Sequence, residues 1–145
     1  MKFNWHPFIW LTKLSHPMAK KEEFLKVDFA KNNILMGIWA FTFEDNGHHV
    51  AYVPSLRLSA YGATVEEAYE MLQAEILPDF ADGILALKSE SAVTQELGKY
   101  GWRRGTILRK KFYNTPYVDE KGILKDFHLP EETKITQEYL EPAGA

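Results

Sequence analysis

At 145 residues the chain suits one domain, and its 46% hydrophobic content supplies one core. Acids and bases nearly balance at a net charge of −3, so no global field singles out nucleic acid or a membrane surface. Cysteine is absent, which removes disulfides, thiolate metal sites, iron–sulfur clusters and cysteine nucleophiles together. Near the start the longest apolar cluster is Pro7-Phe8-Ile9-Trp10-Leu11. It is too short for a secretory apolar region or a bilayer span, so the expected location is the cytoplasm.

Residues 1–17 carry Trp5, Phe8, Ile9 and Trp10 without a period, and His6-Pro7 and His16-Pro17 break any helix. Two readings stand for them. Either Met18 is the true start, or the segment is an arm whose aromatics dock on the domain or on a second copy. Residues 18–145 read as a single domain.

Ile34 to Phe43 is strand-like, with apolar residues on both parities. Both faces should therefore be covered, or one face meets another chain. Asp45-Asn46-Gly47 signals a hairpin turn, and His48 to Val53 is the return strand. Leu56 to Tyr61 predicts a third strand. Thr64 is suited to cap a helix, with Glu67 completing a capping box, and Val65, Ala68, Tyr69, Leu72 and Ile76 recur at helical spacing. Pro78 ends or kinks that helix, with a loose turn or short helix reaching Leu87. Ser91 caps a second helix, Ala92 to Tyr100, and Gly101 stops it. Trp102 to Tyr113 predicts one strand with a heavy basic load, ended by Pro116. A turn follows at Asp119-Glu120-Lys121-Gly122, then a loop from Pro130, and Thr133 to Leu140 is a last short strand. The expected class is α+β: a three-stranded antiparallel meander followed by a helix, plus a second helix and C-terminal strands.

Val50-Ala51-Tyr52-Val53-Pro54, followed by Gly62-Ala63-Thr64-Val65-Glu66-Glu67-Ala68, resembles the signature of HicB antitoxins. The resemblance covers residues 34–77 and includes the preceding strand and Asn-Gly hairpin. It implies a reduced ribonuclease-H-like fold without catalytic carboxylates, and a role in covering a small RNA-cleaving HicA-type toxin. The chain departs from the family at Leu56-Arg57-Leu58-Ser59, where many members carry a Pro-Gly-Cys-like patch. It also lacks a DNA-binding helix pair in its C-terminal third, so operator binding is not expected. Leu97-Gly98-Lys99-Tyr100-Gly101-Trp102 is similar to a helix–Gly-Trp–strand corner of HicA toxins, but no catalytic histidine follows it. That segment reads as a structural corner with Trp102 as a core plug.

Candidates for chemistry are sparse. His48 and His49 point to opposite faces of a strand and cannot share one metal. Asp126 and His128 have no nucleophile tied to them by a motif. Glu66 and Glu67 suit the positive end of a helix, and Asp79 and Asp82 read as solvated. No phosphate-binding glycine loop or His-Glu-x-x-His motif is present, so neither an enzyme nor a cofactor or metal is expected.

The sequence therefore points to a HicB-like protein-binding module that self-associates and binds a small basic toxin-like protein, with Tyr52, Arg57 and Tyr61 as expected contacts. The alternative is nucleic-acid binding through the basic strand, with Arg103, Arg104, Arg109 and Lys111 facing phosphates. A homo-oligomeric scaffold is the third reading.

Overall fold

The computed structural model describes residues 22–106, 110–114 and 120–141. Residues 1–17, Arg109 and Pro116 lie outside the described residues. The chain is α+β, with seven antiparallel strands among the described residues. In chain order they are β1 (Glu23–Asp28), β2 (Asn33–Asp45), β3 (His48–Val53), β4 (Leu58–Gly62), β5 (Trp102–Arg104), β6 (Lys111–Asn114) and β7 (Thr136–Leu140). The helices are α1 (Val65–Met71), α2 (Leu77–Leu85), α3 (Glu90–Gly98) and α4 (Glu120–Asp126), with a π-helical turn, Leu72–Ile76, joining α1 to α2.

The meander and the helix after it form as expected. The β2–β3 turn places Asn46 at φ 53° and Gly47 at φ 82°, the positive-φ pair that a two-residue hairpin needs. Thr64 Oγ1 accepts the Glu67 N–H at 3.1 Å, and Glu67 Oε1 accepts the Ala63 N–H at 2.9 Å, which completes the capping box.

β2 is the spine. β1 pairs along Asn33–Gly37, β7 along Ile38–Thr42 and β3 along Phe41–Asp45. Because β3 and β7 both pair with Phe41 and Thr42, they flank β2 on opposite edges there. β4 extends the sheet beyond β3, and β6 then β5 extend it beyond β1. From Ile38 to Phe43 both faces of β2 are covered, whereas Leu35 is exposed on the outer face. Ile34, Met36, Ile38 and Ala40 enter the main core with Leu72, Leu77, Ile84, Val93 and Leu97 from the helices. Phe41 and Phe43 join Val50 and Ile123 in a smaller core on the other face, closed by Phe127, Leu129 and Ile135. Burying each large aliphatic or aromatic side chain stabilises the fold by about 1.5–3 kcal/mol.

Several boundaries differ from expectation. β1 was not foreseen, since its charged start Glu22-Glu23 hides the alternation of Leu25 and Val27 with Phe24 and Lys26. The third strand begins at Leu58, because Pro54–Arg57 forms a turn with Arg57 at φ 55°. Pro78 does not end the helix. The chain widens to a π turn, with the Leu77 N–H bonded to Leu72 O, and Pro78 falls in the first turn of α2, where a missing N–H costs least. Ser89, not Ser91, caps α3, its Oγ accepting the Ala92 N–H at 3.2 Å. The basic strand is two strands, β5 and β6, that pair with each other. The segment read as a turn at residues 119–122 carries the start of α4, and the last strand begins at Thr136.

Candidate functional site

The two halves of the sheet meet end to end at a seam. The end of β3 and the Pro54–Arg57 turn face the starts of β1 and β5 and the end of β6. Trp102 Nε1, at the start of β5, donates to Ser55 O at 2.9 Å. Glu23, the first residue of β1, sends its carboxylate into the same gap. Its Oε2 accepts the Ser55 hydroxyl at 2.9 Å and the Trp39 backbone N–H at 2.9 Å. That N–H lies between the stretches of β2 that pair with β1 and with β3, so a side chain takes the place of a strand. Arg57 stacks over Tyr100, with its guanidinium carbon 5.6 Å from the ring centre.

These residues enclose a cleft of about 240 Å³, lined by Glu23, Trp39, Tyr52, Arg57, Tyr100 and Asn114, with Asp126 at its edge from the end of α4. Glu23 is only 8% exposed. Burial pushes its carboxyl above the ordinary value, and the Trp39 N–H and Ser55 hydroxyl oppose that rise. Among the described residues no cation lies within ion-pairing distance of Glu23. Asn114 also lines this cleft, while its Oδ1 is shut off from solvent and has no hydrogen-bond partner among the described residues. Burial, then the charge of Asp126, raise the Tyr52 hydroxyl, while Arg57 works against them. The Tyr52 ring is fixed edge-on against Phe127, 4.9 Å between centres.

Two of the three expected partner contacts, Tyr52 and Arg57, thus come together in the cleft. Tyr61 does not. It lies on β4 opposite Val50, 53% exposed, outside the cleft lining. The basic residues do not form one array. Arg103 is exposed, but Arg104 points to the other face, where Nη2 donates to Thr94 Oγ1 at 2.9 Å and Nη1 pairs with Glu90 at 3.5 Å. Lys111 lies 4.7 Å from the Phe24 ring centre and 5.4 Å from that of Tyr113.

Glu23, Trp39, Tyr100 and Asn114 were not singled out in the sequence. Glu23 ends the run Lys20-Lys21-Glu22-Glu23, which looks solvated, and only a knowledge of the seam sets it apart. Asp126 was noted beside His128, yet the two part company. His128 lines a separate open groove with His49 near the β2–β3 turn. Among the described residues no three His, Asp or Glu side chains gather closely enough to hold a metal. A second buried carboxylate, Glu138, is 4% exposed and sits against Tyr69 and Thr42 in the packed layer, away from the cleft. No helix among the described residues is long and apolar enough to cross a membrane. The chain matches no family model, no curated protein and no solved structure among those compared.

Proposed function

We propose that the chain is a HicB-like binding module, not an enzyme, that covers a small basic protein partner of the RNA-cleaving toxin kind. The observation that carries this reading is the seam cleft. Tyr52, from the strand that resembles HicB, and Arg57, from the turn where the chain departs from that family, stand there beside a buried carboxylate with no cation paired to it among the described residues. With Glu23, Asp126 and Arg57 in its lining, the cleft carries a net formal charge of −1, which complements a basic surface. The Glu23 oxygen already engaged by two donors suits a fixed charge better than a proton carrier. Self-association in the cytoplasm belongs to the same reading. β4 ends the described sheet on its side, so its outer edge can accept a strand from a second copy, with Tyr61 exposed beside it.

The test is a pull-down of the tagged full chain from its native cytoplasm, with mass spectrometry and light scattering. One small basic protein in near-equal amount, lost with Tyr52→Ala and kept with Arg103→Ala, is expected. Recovery of the same chain alone would refute the masking role and leave self-association.

One observation favours a second reading, nucleic-acid binding. The register sets Arg103, Tyr113 and Phe24 in one row across β5, β6 and β1, with Lys111, Lys26 and Leu35 in the next. All six point away from the main core, which gives cations and aromatic rings on a common face. Asp28 is on the same face at the far end of β1, where it is neutralised by Lys110 at 3.3 Å. A salt-dependent gel shift with single-stranded RNA, lost on Lys26→Ala with Arg103→Ala and kept on Arg104→Ala, would mark this face. A shift equally sensitive to Arg104→Ala would argue against it.

A further inference from the structure

We propose that the seam cleft is a receptor for one arginine side chain, presented by the basic partner. The inference rests on the protein-binding reading above and names the chemistry of its central contact. Two features of the cleft ask for the same ligand. The first is the Glu23 carboxylate. It is buried at 8% exposure, and both of its hydrogen bonds come from neutral donors on a single oxygen, Oε2. A buried charge without a counter-charge is costly, and a cation entering the cleft would offset that cost. The second is the wall of rings, Trp39, Tyr52 and Tyr100, whose faces attract a cation and suit a flat one best.

A guanidinium answers both demands. It is planar, permanently charged, and carries five N–H donors in a rigid fork that matches a carboxylate. A lysine ammonium would meet the charge but not the flat stacking surface. Arg57 shows the mode of binding within the chain itself, since its guanidinium already lies over Tyr100 on one side of the cleft. It also sets the selectivity. As the only cation among the described lining residues, it leaves them short by one positive charge against Glu23 and Asp126, so a single further cation balances them. An anionic side chain would meet two carboxylates, which excludes phosphate or an acidic peptide from this site.

The experiment uses the full chain and two small probes, N-acetyl-arginine amide and its neutral isostere N-acetyl-citrulline amide, followed by NMR of the tryptophan indole N–H signals. The indole of Trp102 bonds to Ser55 beside the cleft and Trp39 lines it, so both report on occupancy. The arginine probe should shift these two signals in a saturable way, with the citrulline probe weaker by about tenfold or more. Glu23→Gln should weaken the arginine probe by a similar factor while leaving the citrulline response unchanged. Should Glu23→Gln fail to fold, Asp126→Asn, at an exposed position, carries the same test. Arg103→Ala, outside the cleft lining, should change nothing. Equal binding of the two probes, or an arginine response untouched by both acid substitutions, would overturn the proposal. A captured basic partner that tolerates both substitutions would sink this inference while the masking role stands. Arginine-specific binding at the cleft with no captured protein would do the reverse.

Discussion

Replacing Gly37 by alanine separates two lines of reasoning by sign. Gly37 is buried in the middle of β2 at a position with ordinary extended backbone, so strand propensity alone predicts that alanine stabilises by about 0.5–1 kcal/mol. The structure predicts the opposite. A Cβ at Gly37 would run into the hydroxyl of Tyr139, and it would stand 2.8 Å from Tyr139 Cζ and 2.6 Å from Phe24 Cε1. The Tyr139 ring crosses β2 here because glycine leaves room for it. It is 2% exposed, packs edge-on against Trp39 at 5.1 Å, and its hydroxyl donates to Glu22 O at 2.9 Å. Overpacking costs about 1–3 kcal/mol. Shifting the ring would also strain an aromatic pair worth about 0.5–1.5 kcal/mol and a hydrogen bond worth about 1 kcal/mol. Against the propensity gain, the net loss should be about 2–4 kcal/mol. The assay is urea unfolding of the wild type, Gly37→Ala, Tyr139→Phe and the double variant. Tyr139→Phe alone should cost about 1 kcal/mol, the lost hydrogen bond. In the Gly37→Ala background the same change removes the worst contact, so the two losses should be sub-additive by about 1 kcal/mol. Phe24 and Tyr139 Cζ remain in the way, so the double variant should not recover wild-type stability. A Gly37→Ala protein as stable as the wild type, or strictly additive losses, would refute the argument.

Thr64→Ala removes one arm of the capping box and should cost about 1 kcal/mol in thermal or urea unfolding. Arg104→Ala should cost about 1–2 kcal/mol, since it frees α3 from β5 at Thr94 and Glu90, whereas Arg103→Ala should change stability by less than about 0.5 kcal/mol. Trp102→Phe keeps most of the buried ring but leaves Ser55 O without its donor, and should cost about 1–3 kcal/mol in urea unfolding. Glu23→Gln should make the fold more stable at neutral pH. Burial raises Glu23 in the folded state, so the stability linked to its protonation is present below the ordinary carboxylate value and lost as pH rises through the raised one. The gap between wild type and variant, read from unfolding midpoints, should close on acidification, and a gap independent of pH would contradict this.

The meander and its helix were legible because their signals are local. Asn46-Gly47 sets the hairpin, the alternation around β3 and β4 sets the faces, and Thr64 with Glu67 fixes the start of α1. Elements that depend on distant partners were not legible. β1 is held by β2 on one side and β6 on the other, and without those strands Glu23–Asp28 is a short, half-charged segment. The run from Trp102 to Tyr113 read as one strand because its residue types suit a strand throughout, yet β5 and β6 pair with each other. Tyr52 was singled out through the strand resembling HicB, and Arg57 as an arginine close to it in sequence. Glu23 and Asn114 reach the same cleft from β1 and β6, 29 and 62 residues away in sequence from Tyr52, and no spacing rule joins them.

The position of Glu23 follows from a mismatch of lengths. β2 runs for 13 residues, longer than any strand that pairs with it, and neither β1 nor β3 meets it at Trp39 on the side of the seam. The Trp39 N–H needs an acceptor there, and a neutral side-chain oxygen would serve at lower cost than a carboxylate. A glutamine could accept from both the Trp39 N–H and the Ser55 hydroxyl, so the hydrogen bonds by themselves do not require the charge. What the carboxylate adds is a negative charge held in a cleft lined by rings. Such a departure from the least costly solution, at one point in an otherwise consistent fold, is where a functional demand is expected to show. Glutamine at position 23 keeps the two bonds and removes the charge, so it separates the structural task of this residue from the binding one.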